Sequence, residues 1–108
     1  MVGRRIPLVA ACAGSLLLVP QPAVAASRTY TIVIDKMKFG PVPANFRKDD
    51  SIVWVNRDMF RHTATARDHS FDIDLPAGAR RRTLVRKTGS IAFLCRYHPG
   101  MRGVLKVR

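Results

Sequence analysis

The chain has 108 residues, 47% hydrophobic, with 19 lysines and arginines against seven acidic residues and a formal charge of +12. That length suffices for one small domain with a thin core. Its two cysteines, Cys12 and Cys95, exclude a four-thiolate site or iron–sulfur cluster within one chain, and no Cys-x-x-Cys-His is present to attach a c-type haem.

The first 25 residues read as a secretory signal peptide. Arg4 and Arg5 form a positive start, residues 6–19 an apolar stretch, and Ala23-Val24-Ala25 a small-residue cleavage site. Cleavage after Ala25 leaves a domain of residues 26–108. A membrane-spanning helix takes about 20 apolar residues. This run is shorter, contains Gly14 and ends at Pro20 and Pro22, so a cleaved leader is the better reading. Val9-Ala10-Ala11-Cys12 has some lipobox character, yet the apolar run continues past Cys12. The arginine pair also fits twin-arginine export without deciding the route. Export predicts a periplasmic location and no stable membrane insertion once the leader is gone.

The rest of the chain alternates in short β-prone runs. Residues 30–35 predict a strand, and residues 37–39 continue or bend it before Gly40 and Pro41. Residues 45–48 and 52–56 predict strands flanking an Asp49-Asp50 turn, and His62–Ala66 predicts another. Residues 71–75 alternate apolar with Asp, a half-exposed strand that Pro76-Ala77-Gly78 turns. Residues 81–86, 90–95 and 103–107 complete the set. Seven or eight short strands without sustained helical periodicity predict an all-β antiparallel sandwich.

Loss of the leader removes two arginines and leaves a charge of about +10. Such a charge steers anionic partners and makes association salt-dependent. Export argues against nucleic acid as that partner, and the basic residues are scattered apart from Arg80-Arg81-Arg82 with Arg86 and Lys87. This cluster reads first as a charged strand edge guarded against pairing, and only second as a docking patch.

Chemistry concentrates in Cys95-Arg96-Tyr97-His98-Pro99-Gly100-Met101, which sets a thiolate, an imidazole and a thioether at three-residue intervals. Pro99 and Gly100 prevent that spacing from continuing as a helix face, so these donors lie on a loop. Two histidines and a cysteine in a plane, with a weak axial methionine, are what a mononuclear electron-transfer copper centre needs. His62 is the best candidate for the second histidine, because it follows the Ile52-Val53-Trp54-Val55 strand and opens the next. Zinc competes, but its structural sites are usually closed Cys/His tetrahedra built from paired Cys-x-x-Cys elements, absent here. His69, in the polar Arg67-Asp68-His69-Ser70 turn, reads as solvated, and Met37 and Met59 as packing or surface residues.

Together, Val53-Trp54-Val55-Asn56-Arg57, His62 and the run from Cys95 to Gly103 resemble the cupredoxins, the small blue copper proteins, most closely the amicyanin-like members with a short ligand loop. The similarity extends from about Thr29 to Arg108. It implies a Greek-key sandwich with one copper ion, cycling between Cu(I) and Cu(II), held at one end by His62, Cys95, His98 and Met101. It further implies a monomeric one-electron carrier that meets acidic redox proteins, such as a dehydrogenase or cytochrome, transiently. Asn56 is expected to hold the ligand loop. Thr63 stands where the family commonly has Asn, Arg61 where it often has Pro, and Ile91 and Phe93 where tyrosines are frequent. A copper-delivery protein with the same ligands is the alternative; the lack of further Met or His runs favours the carrier. Catalysis is not expected: copper oxidases and nitrite reductases need more histidines, and only His69 is left over. A Cys/His protease built from Cys95, His62 and Asn56 would lack an evident cleft or oxyanion element.

Overall fold

A computed structural model describes residues 3–21 and 26–108. Residues 3–21 form no regular element, and the apolar side chains of Ile6, Leu8, Leu16, Leu17 and Leu18 are exposed. Among the described residues no helix is long and apolar enough to cross a membrane. The Ala23-Val24-Ala25 cleavage site expected from the sequence lies outside the described residues.

Eight strands follow: β1 Thr29–Asp35, β2 Lys38–Phe39, β3 Ser51–Asn56, β4 His62–Ala66, β5 Asp72–Leu75, β6 Arg80–Leu84, β7 Gly89–Leu94 and β8 Arg102–Val107. They make two four-stranded sheets, ordered β2-β1-β3-β6 and β5-β4-β7-β8. The chain changes sheet between β3 and β4, between β5 and β6, and between β6 and β7, the connections of a Greek-key sandwich. Period-two alternation explains the inward faces: Ile32 and Ile34 of β1, Ile52 and Trp54 of β3, Ile91 and Phe93 of β7, and Leu105 and Val107 of β8 are all buried.

Three details differ from the sequence expectation. The β1–β3 pair is parallel, in register from Thr29↔Ser51 to Ile34↔Asn56, so the first sheet is mixed. Residues 45–48 form no ladder; only Phe46 bridges Val107, because its ring is pulled fully into the core while its neighbours stay exposed. Residues 37–39 neither extend nor bend β1. Lys36 and Met37 turn in left-handed backbone (φ 50° and 61°), and Lys38–Phe39 returns antiparallel to β1. Arg80, Arg81 and Arg82 lie exposed on β6, an edge strand, as the guarded-edge reading requires.

The core centres on Trp54 and Phe93, whose ring centroids are 5.3 Å apart, with Phe39 and Phe71 packed around them. The edge-to-face pairs among Phe39, Trp54 and Phe93 add about 0.5–1.5 kcal/mol each beyond the area they bury. Trp54 also places its indole N–H 3.1 Å from Thr83 Oγ1, so the ring is buried without an orphaned donor. Opposite Phe93 on β8 stands Gly103, where a β-carbon would meet the Phe93 ring at 2.5 Å. Glycine here lets the strand that carries the chain out of the ligand loop lie over that ring.

Candidate metal centre

Buried polar side chains gather at one pole, where β3 ends and β4 begins: Asn56, His62 and Thr63 are each at most 1% exposed. Cys95 follows β7 and Met101 precedes β8, so the loop between them closes the same pole. Its ends are tied by the Cys95 N–H donating to the Met101 carbonyl (3.0 Å), and within it the Met101 N–H donates to the His98 carbonyl (2.8 Å). The loop is not helical, as Pro99 and Gly100 predict. Strand β4 pairs with β7 only through Thr65↔Leu94 and Ala66↔Phe93. Beyond Thr65 the ladder gives way to a side-chain bond, Arg96 N–H to Thr63 Oγ1 at 2.9 Å, and the space so opened holds the donor cluster.

His62 Nδ1 and His98 Nδ1 each lie 3.7 Å from Cys95 Sγ, and one donor atom from each residue lies within 4.8 Å of the others. Bonds of the usual first-row length, about 2.3 Å to sulfur and 2.0 Å to nitrogen, place S and N roughly 3.7 Å apart when they meet at a trigonal angle. The cluster therefore has the spacing of three donors around one ion. Among the described residues no other group of three His, Cys, Asp or Glu does. Met101 is buried, 6% exposed, at the return of the same loop. His69 is exposed at φ 64° in its turn, Met59 is exposed and Met37 packs against the core, as expected. A cleft of about 510 Å³, lined by Arg28, Tyr30, Asn45, Arg47 and Arg108, lies at the opposite pole and contains none of these donors.

Around the donors, Thr63 does what its place next to His62 allows. Its N–H points at Cys95 Sγ from 3.4 Å, and its hydroxyl accepts from Arg96 N–H and shares a hydrogen bond with the Thr65 hydroxyl (2.9 Å). The hydroxyl thus fastens the start of the Cys95–Met101 loop. Asn56 departs from expectation. Its Nδ2 donates to the carbonyls of Phe60 (2.7 Å), Leu75 (2.9 Å) and Pro76 (3.3 Å), so it fastens the segment leading into His62 and the end of β5 rather than the Cys95–Met101 loop. Asn56 sits at the exit of β3, on the His62 side of the pole, which is why its short side chain reaches those carbonyls. Arg61 turns outward to make a two-pronged ion pair with Asp74 on β5, Nε–Oδ1 2.9 Å and Nη2–Oδ2 2.7 Å. Its charge is thereby shared with a carboxylate instead of standing alone over the site. Ile91 and Phe93 are core residues, 4% and 0% exposed.

One residue escaped the sequence reading. Asp58 Oδ2 lies 2.8 Å from His62 Nε2, on the ring edge away from Cys95. The carboxyl is held below its ordinary value, chiefly by the Met37 N–H against the opposing effect of burial, with His62 and the Lys36 N–H adding to it. An aspartate between two strands reads as a turn residue, and nothing in its spacing distinguishes it from Asp49 or Asp68.

The scan against protein-family models finds no match, and neither does the search of curated proteins. Solved structures do match. The copper-containing nitrite reductase of Thermus scotoductus SA-01 superposes with a TM-score of 0.66 and 26% identity over 83% of this chain; the chain spans only 25% of that enzyme. A reduced proline-to-phenylalanine variant of amicyanin gives 0.63 and 20% over 74% of this chain and 82% of its own. The chain has the cupredoxin fold. A methionine-to-alanine variant of amicyanin with Cu(I) agrees, at 0.61 and 18% identity over 81% of this chain and 87% of its own. On this cupredoxin frame His62, Cys95 and His98 converge at the pole where β4, β7 and β8 meet.

Proposed function

We propose that this chain is a blue copper protein that carries single electrons between larger redox proteins, and that it is exported to the periplasm. One observation carries the reading: two imidazole nitrogens and one thiol sulfur face a single point, at trigonal spacing, on a fold shared with amicyanin. Thiolate and thioether favour Cu(I) while imidazole accepts either state, so His62, Cys95, His98 and Met101 suit an ion that alternates between the two. Copper held there would supply one-electron oxidation and reduction.

The remaining work belongs to the chain. Cys95, fully buried, gives up its proton on binding and is kept from water and from disulfide partners. His62 and Thr63 are fixed in β4, so the donors are placed before the ion arrives, which limits rearrangement on electron transfer. His98 is half-buried and flanked by exposed Tyr97 and Pro99, which makes it the exit toward a partner. Exposed Met59 and Phe60 at the same pole offer a small apolar contact suited to a transient encounter. The basic surface selects acidic partners, and the protein acts as a monomer without catalysis of its own.

Export draws support from the Arg4-Arg5 start and from apolar residues 6–19, which lie exposed rather than packed in the sandwich. Sequencing the N-terminus of protein recovered from a bacterial periplasm checks it; a start at Ala26 is expected. For the carrier, one equivalent of Cu(II) is expected to give an intense blue band that bleaches with a mild reductant and returns on reoxidation. Cys95→Ser is expected to abolish the band. A wild-type complex that stays pale rejects the carrier and turns attention to copper delivery.

A further inference from the structure

The edge of His62 that faces away from Cys95 is as carefully arranged as the edge that faces it. Asp58 Oδ2 receives His62 Nε2 at 2.8 Å, and the same carboxylate accepts two consecutive backbone donors, Lys36 N–H on Oδ1 (2.8 Å) and Met37 N–H on Oδ2 (2.9 Å). Those two residues are in left-handed backbone, φ 50° and 61°, although neither is glycine. Successive N–H groups turned to one side make a cradle for an anion. Non-glycine residues held there are strained unless something compensates. The compensation here is a carboxylate. Its own N–H is held in turn by Asn56 Oδ1 at 2.9 Å, and its side chain is only 10% exposed.

A carboxylate in such a cradle only accepts hydrogen bonds. The imidazole next to it must therefore carry its proton on Nε2, which leaves the Nδ1 lone pair directed to the Cys95 side. We propose that Asp58 is a positioning residue for the metal centre: it selects the Nε2–H tautomer of His62 before any metal binds, locks the ring plane, and strengthens the ring as a donor. This rests on the copper reading above. Outer carboxylates of this kind raise the basicity of a ligating imidazole, and their loss typically costs 10- to 100-fold in metal affinity. A stronger nitrogen donor favours the more highly charged ion, so Asp58 lowers the reduction potential relative to a chain without it.

A purely structural role, tying residues 57–61 to the β1–β2 turn, predicts lost stability and nothing more. The test therefore reads the ring. Nitrogen-15 NMR of the metal-free protein is expected to show His62 protonated on Nε2. In Asp58→Asn an amide N–H faces the ring, and His62 is expected to shift toward the Nδ1–H form; copper affinity should fall about 10- to 100-fold, and the potential should rise. Asp58→Glu should restore the Nε2–H form at least in part. Nδ1–H in the wild-type chain, or an Asp58→Asn protein with tautomer, affinity and potential unchanged, overturns the proposal. The wild-type tautomer decides the matter even if the variants fail to fold. Because that reading needs no metal, a wild-type protein that never turns blue rejects the carrier function without being mistaken for failure of the Asp58 role.

Discussion

The two histidines of the donor cluster stand at the same distance from Cys95, yet they are held by opposite means. His62 is fully buried at the start of a strand, with a carboxylate on its far nitrogen and Asn56 fastening the segment before it. His98 sits half-buried in a short loop between a bend and a turn. Its carbonyl is tied to the Met101 N–H, while its ring is directed by Cys95 and by the His62 ring, 5.1 Å away between centroids. Equal placement thus arises from framework on one side and from loop closure on the other. The rigid donor is shielded by the framework; the peripheral one stays open to solvent.

The contrast breaks if the two rings prove equivalent in the metal-free protein. His62→Ala removes a buried ring and leaves the Asp58 carboxylate without that donor, and is expected to cost about 2–4 kcal/mol. His98→Ala is expected to cost less than about 1 kcal/mol. Urea unfolding of both variants measures the difference, and equal midpoints would refute it.

Asn56→Ala sharpens the same point from one residue further back. Three carbonyls lose a shared donor and the Asp58 N–H loses its acceptor, so a loss of about 2–3 kcal/mol is expected, together with faster hydrogen exchange in residues 57–61 than in residues 96–100. On the loop side, Thr63→Val keeps the shape and removes the acceptor for Arg96 N–H; about 1–2 kcal/mol is expected, and Thr63→Ser should recover most of it.

The smallest effect concerns a carboxylate outside the framework. Asp68 is held below its ordinary value by Lys87, with Ser70 contributing, but both partners of this pair are solvent-accessible. A carboxyl depressed on folding adds stability that is complete above the ordinary value of 3.8 and drains as the pH falls through the folded-state value. Exposure and salt screen it, so Asp68→Asn should barely flatten the acid limb of a stability–pH curve, and added salt should erase the difference.

Much of this was legible in the residues themselves. Period-two alternation located the strands, and Cys95, His98 and Met101 announced themselves by residue type, spacing and the Pro99-Gly100 break. The parallel β1–β3 pairing was not legible, because pairing partners leave no mark on alternation. Nor was the isolated Phe46 bridge, whose neighbours are β-prone enough to mimic a strand. The Lys36-Met37 turn lacks the glycine or asparagine that usually betrays left-handed backbone, and so the cradle for Asp58 was hidden too. Propensity reports what a residue prefers. It is silent where a tertiary bond overrides the preference.

All the donors lie on or beside one sheet, β5-β4-β7-β8, whereas the carboxylate bracing His62 is seated on the turn that joins β1 to β2 in the other. The bond from Asp58 to His62 is therefore a stitch across the seam of the sandwich. Sliding of one sheet over the other would strain that stitch and loosen a ligand, and an ion that tightens the ligand must by reciprocity resist the sliding. The cost of parting the two layers and the grip on the ion become two readings of a single mechanical coupling.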